Sequence, residues 1–195
     1  MQQKQLIRQQ IRQSIQNNLT SLERKFFSFQ MTELIISKLN LLNFNSINNI
    51  ACYWPTKYEI DSTYLIKFLL NNNKSCYLPV INNNKLAFIK YTNNTKLIKN
   101  KFNILEPKFN IKNQINLIDL DLIFMPLVAF DSLGHRIGSG GGFYDRTLQP
   151  LLQKKYTIKL IGLAYSIQQI ANFNPNQWDI NLNTVVTEKN WLDLS

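Results

Sequence analysis

The sequence predicts a three-layer α/β domain, with a mainly parallel sheet and helices on both faces. Three observations carry this. Short apolar, strand-like runs alternate with helix-like segments along most of the chain, the order that builds parallel sheets. The 195 residues are 45% hydrophobic and 12% aromatic, enough apolar material for one folded domain spanning 1–195. Five of the six glycines fall between 134 and 142, after an apolar run and before a helix-like segment. Strand, glycine loop and helix, in that order, is where open α/β sheets bind ligands.

The elements follow from local patterns. Ile7, Ile11 and Ile15 recur every four residues, so residues 3–16 are predicted helical. Thr20-Ser21-Leu22-Glu23 has the form of a capping box, opening a second helix that runs to about Leu39. Residues 50–54 form a short strand ended by Pro55. Asp61-Ser62 can cap a helix carrying Tyr64, Leu65, Phe68 and Leu69. Strands follow at 76–80 and 86–91, separated by an Asn turn. Residues 92–116 are polar and poorly periodic, with Glu106-Pro107 inside, and predict no element beyond a loop. Residues 122–130 read as one buried strand, 143–153 as a helix and 158–164 as a further strand.

Several function classes are disfavoured. The formal charge is +10, but the lysines are scattered and no block of five or six basic residues exists. A bias toward Lys, Asn and Ile accounts for the charge without a nucleic-acid or membrane partner. No apolar run approaches the roughly 18 residues that span a bilayer, and no apolar signal region follows Met1, so cytoplasmic residence is the expectation. Cys52 and Cys76 lie in apolar segments and are expected to be free buried thiols. The single histidine, His135, leaves no Cys/His metal set. There is no Gly-x-Ser-x-Gly elbow and no evident Ser-His-Asp set, so hydrolysis through a covalent nucleophile has little support.

The segment 134–146 is the candidate site. It is neither a Walker loop nor a dinucleotide fingerprint, since Phe143 stands where the third glycine would fall. Glycines let backbone N–H groups approach an anion, and the following helix adds its positive end. A flexible surface turn is the competing reading; the charged flanks and the preceding strand favour an anion cradle. Arg136 and Arg146 can meet phosphate oxygens, and Asp145 can hold magnesium beside them. Lys4, Arg8 and Arg12 line one stripe of the first helix, either as a solvated face or with Lys4 and Arg8 folded over the glycine loop. Glu59 is either an exposed carboxylate or a hydrogen-bonding partner for a flat heterocycle walled by Tyr53, Trp54 and Tyr58. Asp179 is an ordinary loop residue unless it pairs with Asp145 as a hard oxygen ligand. His135 belongs either to the phosphate site or to an exposed loop.

Over nearly its whole length the chain resembles the 5-formyltetrahydrofolate cyclo-ligase family. The resemblance is carried by Met125-Pro126-Leu127-Val128-Ala129-Phe130-Asp131, then Gly134, then Arg136-Ile137-Gly138-Ser139-Gly140-Gly141-Gly142-Phe143-Tyr144-Asp145-Arg146. The family pattern has a proline, Ala-Phe-Asp, and Arg-Leu-Gly-x-Gly-x-Gly-Tyr-Tyr-Asp-Arg. Weaker matches are Lys4 with Arg8, Tyr53-Trp54-Pro55 with Glu59 and Asp61, and Asp179 with Val186-Thr187-Glu188. The resemblance implies a Rossmann-like sheet similar to that of sugar-phosphate isomerases and CoA-transferases. It implies ATP- and magnesium-dependent cyclisation of 5-formyltetrahydrofolate, with or without a polyglutamate tail, to 5,10-methenyltetrahydrofolate with release of ADP and phosphate. Lys4, Arg8 and Arg136 are the catalytic cations it implies. Lys4, Gln5, Leu6, Ile7 and Arg8 would bind nucleotide, with Gly134, His135, Arg136, Ile137, Gly138, Ser139, Gly140, Gly141, Gly142 and Phe143. Trp54, Glu59 and Tyr144 would bind folate, and Asp145 and Asp179 would ligate magnesium. Ser139, Phe143 and Trp178 depart from the usual residues; Phe143 lacks the hydroxyl of the usual Tyr. A monomer without nucleic-acid or membrane partners is expected. The runner-up is a basic RNA-associated protein with a vestigial nucleotide loop, which salt-sensitive RNA binding without ATP turnover would distinguish.

Overall fold

A computed structural model describes residues 2–153 and 158–194. The chain runs α1 (Gln2–Asn18), α2 (Ser21–Ser37), β1 (Asn49–Ala51), α3 (Thr63–Asn71), β2 (Ser75–Asn82), β3 (Lys85–Tyr91), β4 (Leu97–Lys99), β5 (Leu105–Pro107), β6 (Gln114–Ile115), β7 (Leu122–Pro126), β8 (Ala129–Phe130), β9 (Arg136–Ile137), α4 (Phe143–Gln153), β10 (Lys159–Leu163), β11 (Thr184–Val186) and β12 (Trp191–Asp193). Eight strands form one sheet in the order β12-β11-β10-β7-β1-β2-β3-β6. The run from β11 through β10, β7 and β1 to β2 is parallel. Antiparallel strands extend both edges.

Alternation along the strands sorts side chains to two cores. Leu122 and Phe124 of β7 join Ile11, Met31, Ile35 and Leu65 from α1, α2 and α3. Ile123 and Met125 join Leu148 and Leu151 of α4. Helices therefore cover both faces, as predicted, with α1 to α3 on one side and α4 on the other. The residues of β7 from Leu122 to Met125 are all buried, as a strand covered on both faces requires.

The capping box at Thr20 forms: Glu23 N donates to Thr20 Oγ1 and Thr20 N donates to Glu23 Oε2. α2 ends at Ser37, short of Leu39, where a 3-10 turn takes over. Asp61 rather than Ser62 caps α3. Thr63 N donates to Asp61 Oδ1 at 2.8 Å, while the buried Ser62 hydroxyl donates to the Tyr53 carbonyl at 2.6 Å. Asn83 and Asn84 turn β2 into β3 with φ of 45° and 62°. Two consecutive left-handed residues make the turn that matches strand twist, and Asn tolerates that region without glycine.

Two expectations are corrected. The predicted strand at 122–130 breaks after Pro126, and Ala129–Phe130 leaves the sheet to pair with Arg136–Ile137. The Leu127 and Val128 carbonyls at the break accept hydrogen bonds from the buried Gln168 side chain at 2.9 and 3.0 Å. Sequence periodicity cannot register this, because both pieces are equally apolar. The segment 92–116 is not structureless: it carries the β4–β5 hairpin and the edge strand β6. Glu106 pins the hairpin, accepting from Asn100 Nδ2 at 2.8 Å and from the backbone N–H of Ile81 in β2 at 3.3 Å. The hairpin is a separate two-stranded sheet outside the main one.

Gln168→Ala would strand the two carbonyls at the break without donors. The expected loss is roughly 3 kcal/mol, read as a lower urea midpoint with an unchanged m-value.

Candidate active site

The site lies at the carboxyl ends of the parallel strands, where β1 runs into Tyr53 and Trp54 and β7 ends at Pro126. The glycine loop crosses this edge between β9 and α4. Its carbonyls are held by arginines: Arg8 Nε donates to Gly138 O at 2.7 Å, and Arg146 Nη2 donates to Gly141 O at 2.6 Å. Arg146 also donates through Nε to Asn84 O in the β2–β3 turn at 2.9 Å, tying the loop to the sheet. No hydrogen bond among the described residues uses the N–H groups of Ser139, Gly140, Gly141 or Gly142. Gly140 and Gly142 have φ of 110° and 62°, where a Cβ is strained. A turn with its carbonyls engaged and its N–H groups free, ahead of the amino end of α4, is an anion cradle.

Two chambers meet at this loop. The polar one, about 490 Å³, is lined by Lys4, Arg8, Arg136, Arg146, Asp145 and Asp179 together with the loop. Arg136, almost fully buried, donates through Nη2 to Asp145 Oδ1 at 2.7 Å. Lys4 reaches across from α1 to donate to Asp179 Oδ2. Burial pushes the Asp179 carboxyl up, but hydrogen bonds from Lys4 and Asn176 outweigh it and hold the group below its ordinary range. No hydrogen bond falls on Asp145 Oδ2 or Asp179 Oδ1 among the described residues.

The other chamber, about 330 Å³, is largely apolar, with walls from Trp54, Leu78, Pro126 and Phe143. Trp54 is braced by Tyr91, with ring centroids 5.9 Å apart. Glu59 faces this chamber and accepts from Thr56 N at 2.9 Å. Burial raises its carboxyl above the ordinary range, against the Thr56 hydrogen bonds and the charge of Arg12. Among the described residues, two buried polar atoms lack partners: Arg136 Nε and the Tyr144 hydroxyl. Both residues line the apolar chamber. A buried orphan polar atom is costly, and two at one cavity mark where a ligand's polar atoms belong. The β4–β5 hairpin closes the chamber from outside through Phe102 and Ile104, with Phe102 edge-on to Phe143 at 6.0 Å. No pattern in residues 92–116 pointed to this contribution.

The structure brings Lys4, Arg8, Arg136, Ile137, Gly138, Gly140, Gly141, Gly142, Asp145 and Asp179 to the polar chamber, and Trp54, Glu59, Ser139, Phe143 and Tyr144 to the apolar one. Arg8 folds over the glycine loop, donating to Gly138 O, and Lys4 lines the same chamber through its contact with Asp179. Leu6 points outward, Ile7 packs on the core, and Gln5 lines a groove beyond Arg8; only one face of a helix can serve the chamber. Gly134 and His135 also stand apart. Gly134 closes the β8–β9 turn, where an added Cβ would lie 2.8 Å from Leu182 O. His135 Nδ1 pairs with Asp131 Oδ2 at 2.8 Å, with its ring against Phe173. Tyr58 lies outside the apolar chamber, in the groove along α1. Asp145 is braced by Arg136, whereas Arg146 serves the loop carbonyls.

Fold and site together define an α/β protein in which a glycine loop with free N–H groups adjoins a largely apolar chamber. The sequence comparisons give the particular group. The family model for 5-formyltetrahydrofolate cyclo-ligases matches residues 1–188, and the chain belongs to this family. It is 41% identical over 184 residues to a 5-formyltetrahydrofolate cyclo-ligase of Haemophilus influenzae, covering 93% of this chain and 95% of the relative. It is 37% identical over 143 residues to that of Escherichia coli K12, covering 72% and 78%. The solved structure of 5,10-methenyltetrahydrofolate synthetase from Aquifex aeolicus is similar with a TM-score of 0.79 and 31% identity, over 98% of this chain and 92% of that one. The RNA-binding alternative gains no support from these relatives.

Glu59 yields a prediction with a definite sign. Its folded-state value lies above the unfolded one, so its contribution to stability is full below the ordinary carboxylate range and is lost as pH rises through the raised value. Ligand-free Glu59→Gln should match the parent near about pH 4 and melt higher at about pH 8. Thermal melts across that range read the difference.

Proposed function

We propose that the two chambers divide the family's reaction between them, the reduced pterin of 5-formyltetrahydrofolate in the apolar one and the phosphates of ATP in the polar one. The observation that carries this is the shared wall. Arg136, Gly138, Gly141, Gly142 and Asp145 line both chambers, so the terminal phosphate and the formyl group would meet at the glycine loop.

A formamide oxygen is a poor leaving group. The γ-phosphoryl is transferred to it, N10 attacks the activated carbon with loss of its proton, and phosphate departs with the former formyl oxygen. The chain's share is positioning and charge stabilisation. The free loop N–H groups and Arg136 face the phosphoryl oxygens, Lys4 and Arg8 hold the nucleotide, and Trp54 stacks on the pterin. Glu59 would hydrogen-bond a ring N–H, an interaction that favours its ionised form once ligand is bound. Burial keeps the Tyr144 phenol protonated, so it serves as a neutral donor.

Asp145 and Asp179 fit magnesium: each offers a carboxylate oxygen free of protein hydrogen bonds, and this ion is commonly held by one or two carboxylates plus phosphates and water. Bound there, it would neutralise phosphate charge. Action as a monomer in the cytoplasm belongs to the same proposal; the two free buried thiols suit a reducing compartment. Among the described residues no helix is long and apolar enough to cross a membrane.

The test is to follow the methenyl chromophore with the purified protein, 5-formyltetrahydrofolate, ATP and magnesium; signal without ATP would contradict the reading. Arg136→Ala and Asp145→Ala, checked for folding by circular dichroism, should each lose about 100-fold or more in turnover, as removal of one positioned charge does. Glu59→Ala should raise KM for the folate more than for ATP, and the reverse pattern would refute the folate assignment.

A further inference from the structure

We propose that Phe143 is a positioning residue that links the two chambers, so that folate seated in the apolar one tightens the binding of nucleotide phosphates at the glycine loop. The inference rests on the assignment of the chambers under the proposed function. Position 143 is one where this chain departs from the usual tyrosine, and the packing around its ring uses no hydroxyl.

Phe143 lines the apolar chamber and not the polar one. Its ring is nonetheless packed on the backbone of the cradle, since a Cβ added at Gly141 would lie 2.5 Å from Phe143 Cε2. Arg146 stands over the same ring, its guanidinium carbon 5.2 Å from the centroid, and donates through Nη2 to Gly141 O at 2.6 Å. The β4–β5 hairpin reaches this ring through Phe102, edge-on with centroids 6.0 Å apart. No hydrogen bond joins the hairpin to the glycine loop or to α4 among the described residues, so the ring pair carries that connection.

Gly140, Gly141 and Gly142 are consecutive. They have no side chains to pack, and ordering glycine costs more backbone entropy than ordering any other residue. The loop is therefore anchored from outside, by Arg8 and Arg146 on its carbonyls and by the Phe143 ring on Gly141. Neither Arg8 nor Arg146 lines the apolar chamber, whereas Phe143 and Phe102 both do. A flat ligand filling the chamber restrains both rings. A restrained Phe143 ring narrows the conformations open to Gly141, and the nucleotide then meets a loop already ordered. Coupling of this kind is reciprocal, so nucleotide tightens folate by the same factor.

Titration calorimetry with the β,γ-imido analogue of ATP and magnesium, without and with saturating 5-formyltetrahydrofolate, reads the coupling. The parental protein should bind the analogue about tenfold more tightly when folate is present, within the range usual for coupled sites. Folate should gain the same factor from the analogue. Phe143→Leu and Phe102→Leu should each remove most of this factor, and the double variant should lose no more than either alone. Phe143→Tyr keeps the ring and should keep the coupling. A ring that only stabilised the fold would change both affinities and leave their ratio alone. Phe102 is half exposed on the hairpin, so its variant keeps the test open should Phe143→Leu fail to fold. Hydrogen exchange of the amides at 138–142 gives a second reading. Folate alone should slow it in the parental protein and not in Phe102→Leu; with one ligand present, contact between ligands plays no part. An undiminished factor in either leucine variant with a parental melting temperature would overturn the link. So would the absence of coupling in a parental protein that turns over 5-formyltetrahydrofolate with ATP. A parental protein with no such turnover would overturn the chamber assignment and the link with it.

Discussion

The site depends on which side of the glycine loop's peptide groups is occupied. Arginines take the carbonyls of Gly138 and Gly141, and the N–H groups across the loop are left without protein partners. Neither arginine belongs to the loop. Arg8 comes from α1, and Arg146, from α4, is anchored to the β2–β3 turn. The cradle is therefore a product of three elements brought to the same sheet edge, and its polarity is set before any ligand arrives. Preorganised donors of this kind need no rearrangement as charge develops.

The two chambers have opposite characters because the loop separates them. On one side, cations and carboxylates face each other in pairs, each pair leaving an oxygen for a further ligand. On the other, a carboxyl is pushed above its ordinary range, and an arginine nitrogen and a phenol are buried without partners among the described residues. These features weaken the ligand-free protein. Each would be relieved by a heterocycle bearing polar atoms on its rim. Local destabilisation at a binding site offset by the ligand is a common consequence of building a site for function rather than for stability.

The fold was legible where a single local signal decides. Ile11 and Ile15 announced the buried face of α1, Thr20 and Glu23 the start of α2, and the Asn tracts the turns. It was illegible where two apolar pieces differ only in their partners. The break after Pro126 depends on Gln168, some forty residues on, supplying donors to the carbonyls that leave the sheet. The β4–β5 hairpin was hidden because its strands are only three residues long and carry no sustained periodicity; Glu106 docks it on β2 and makes it a wall of the chamber.

By itself the sequence determined the glycine cradle, its flanking cations and the family to which they belong, because those residues are contiguous and their chemistry is local. Which of the neighbouring side chains line the chambers was decided only by tertiary structure. Helix periodicity turns Leu6 and Ile7 away while Lys4 and Arg8 face inward, and the β8–β9 turn draws Gly134 and His135 to other partners. Adjacency in sequence places residues on one segment, but only the packing of that segment fixes which side chains share a chamber.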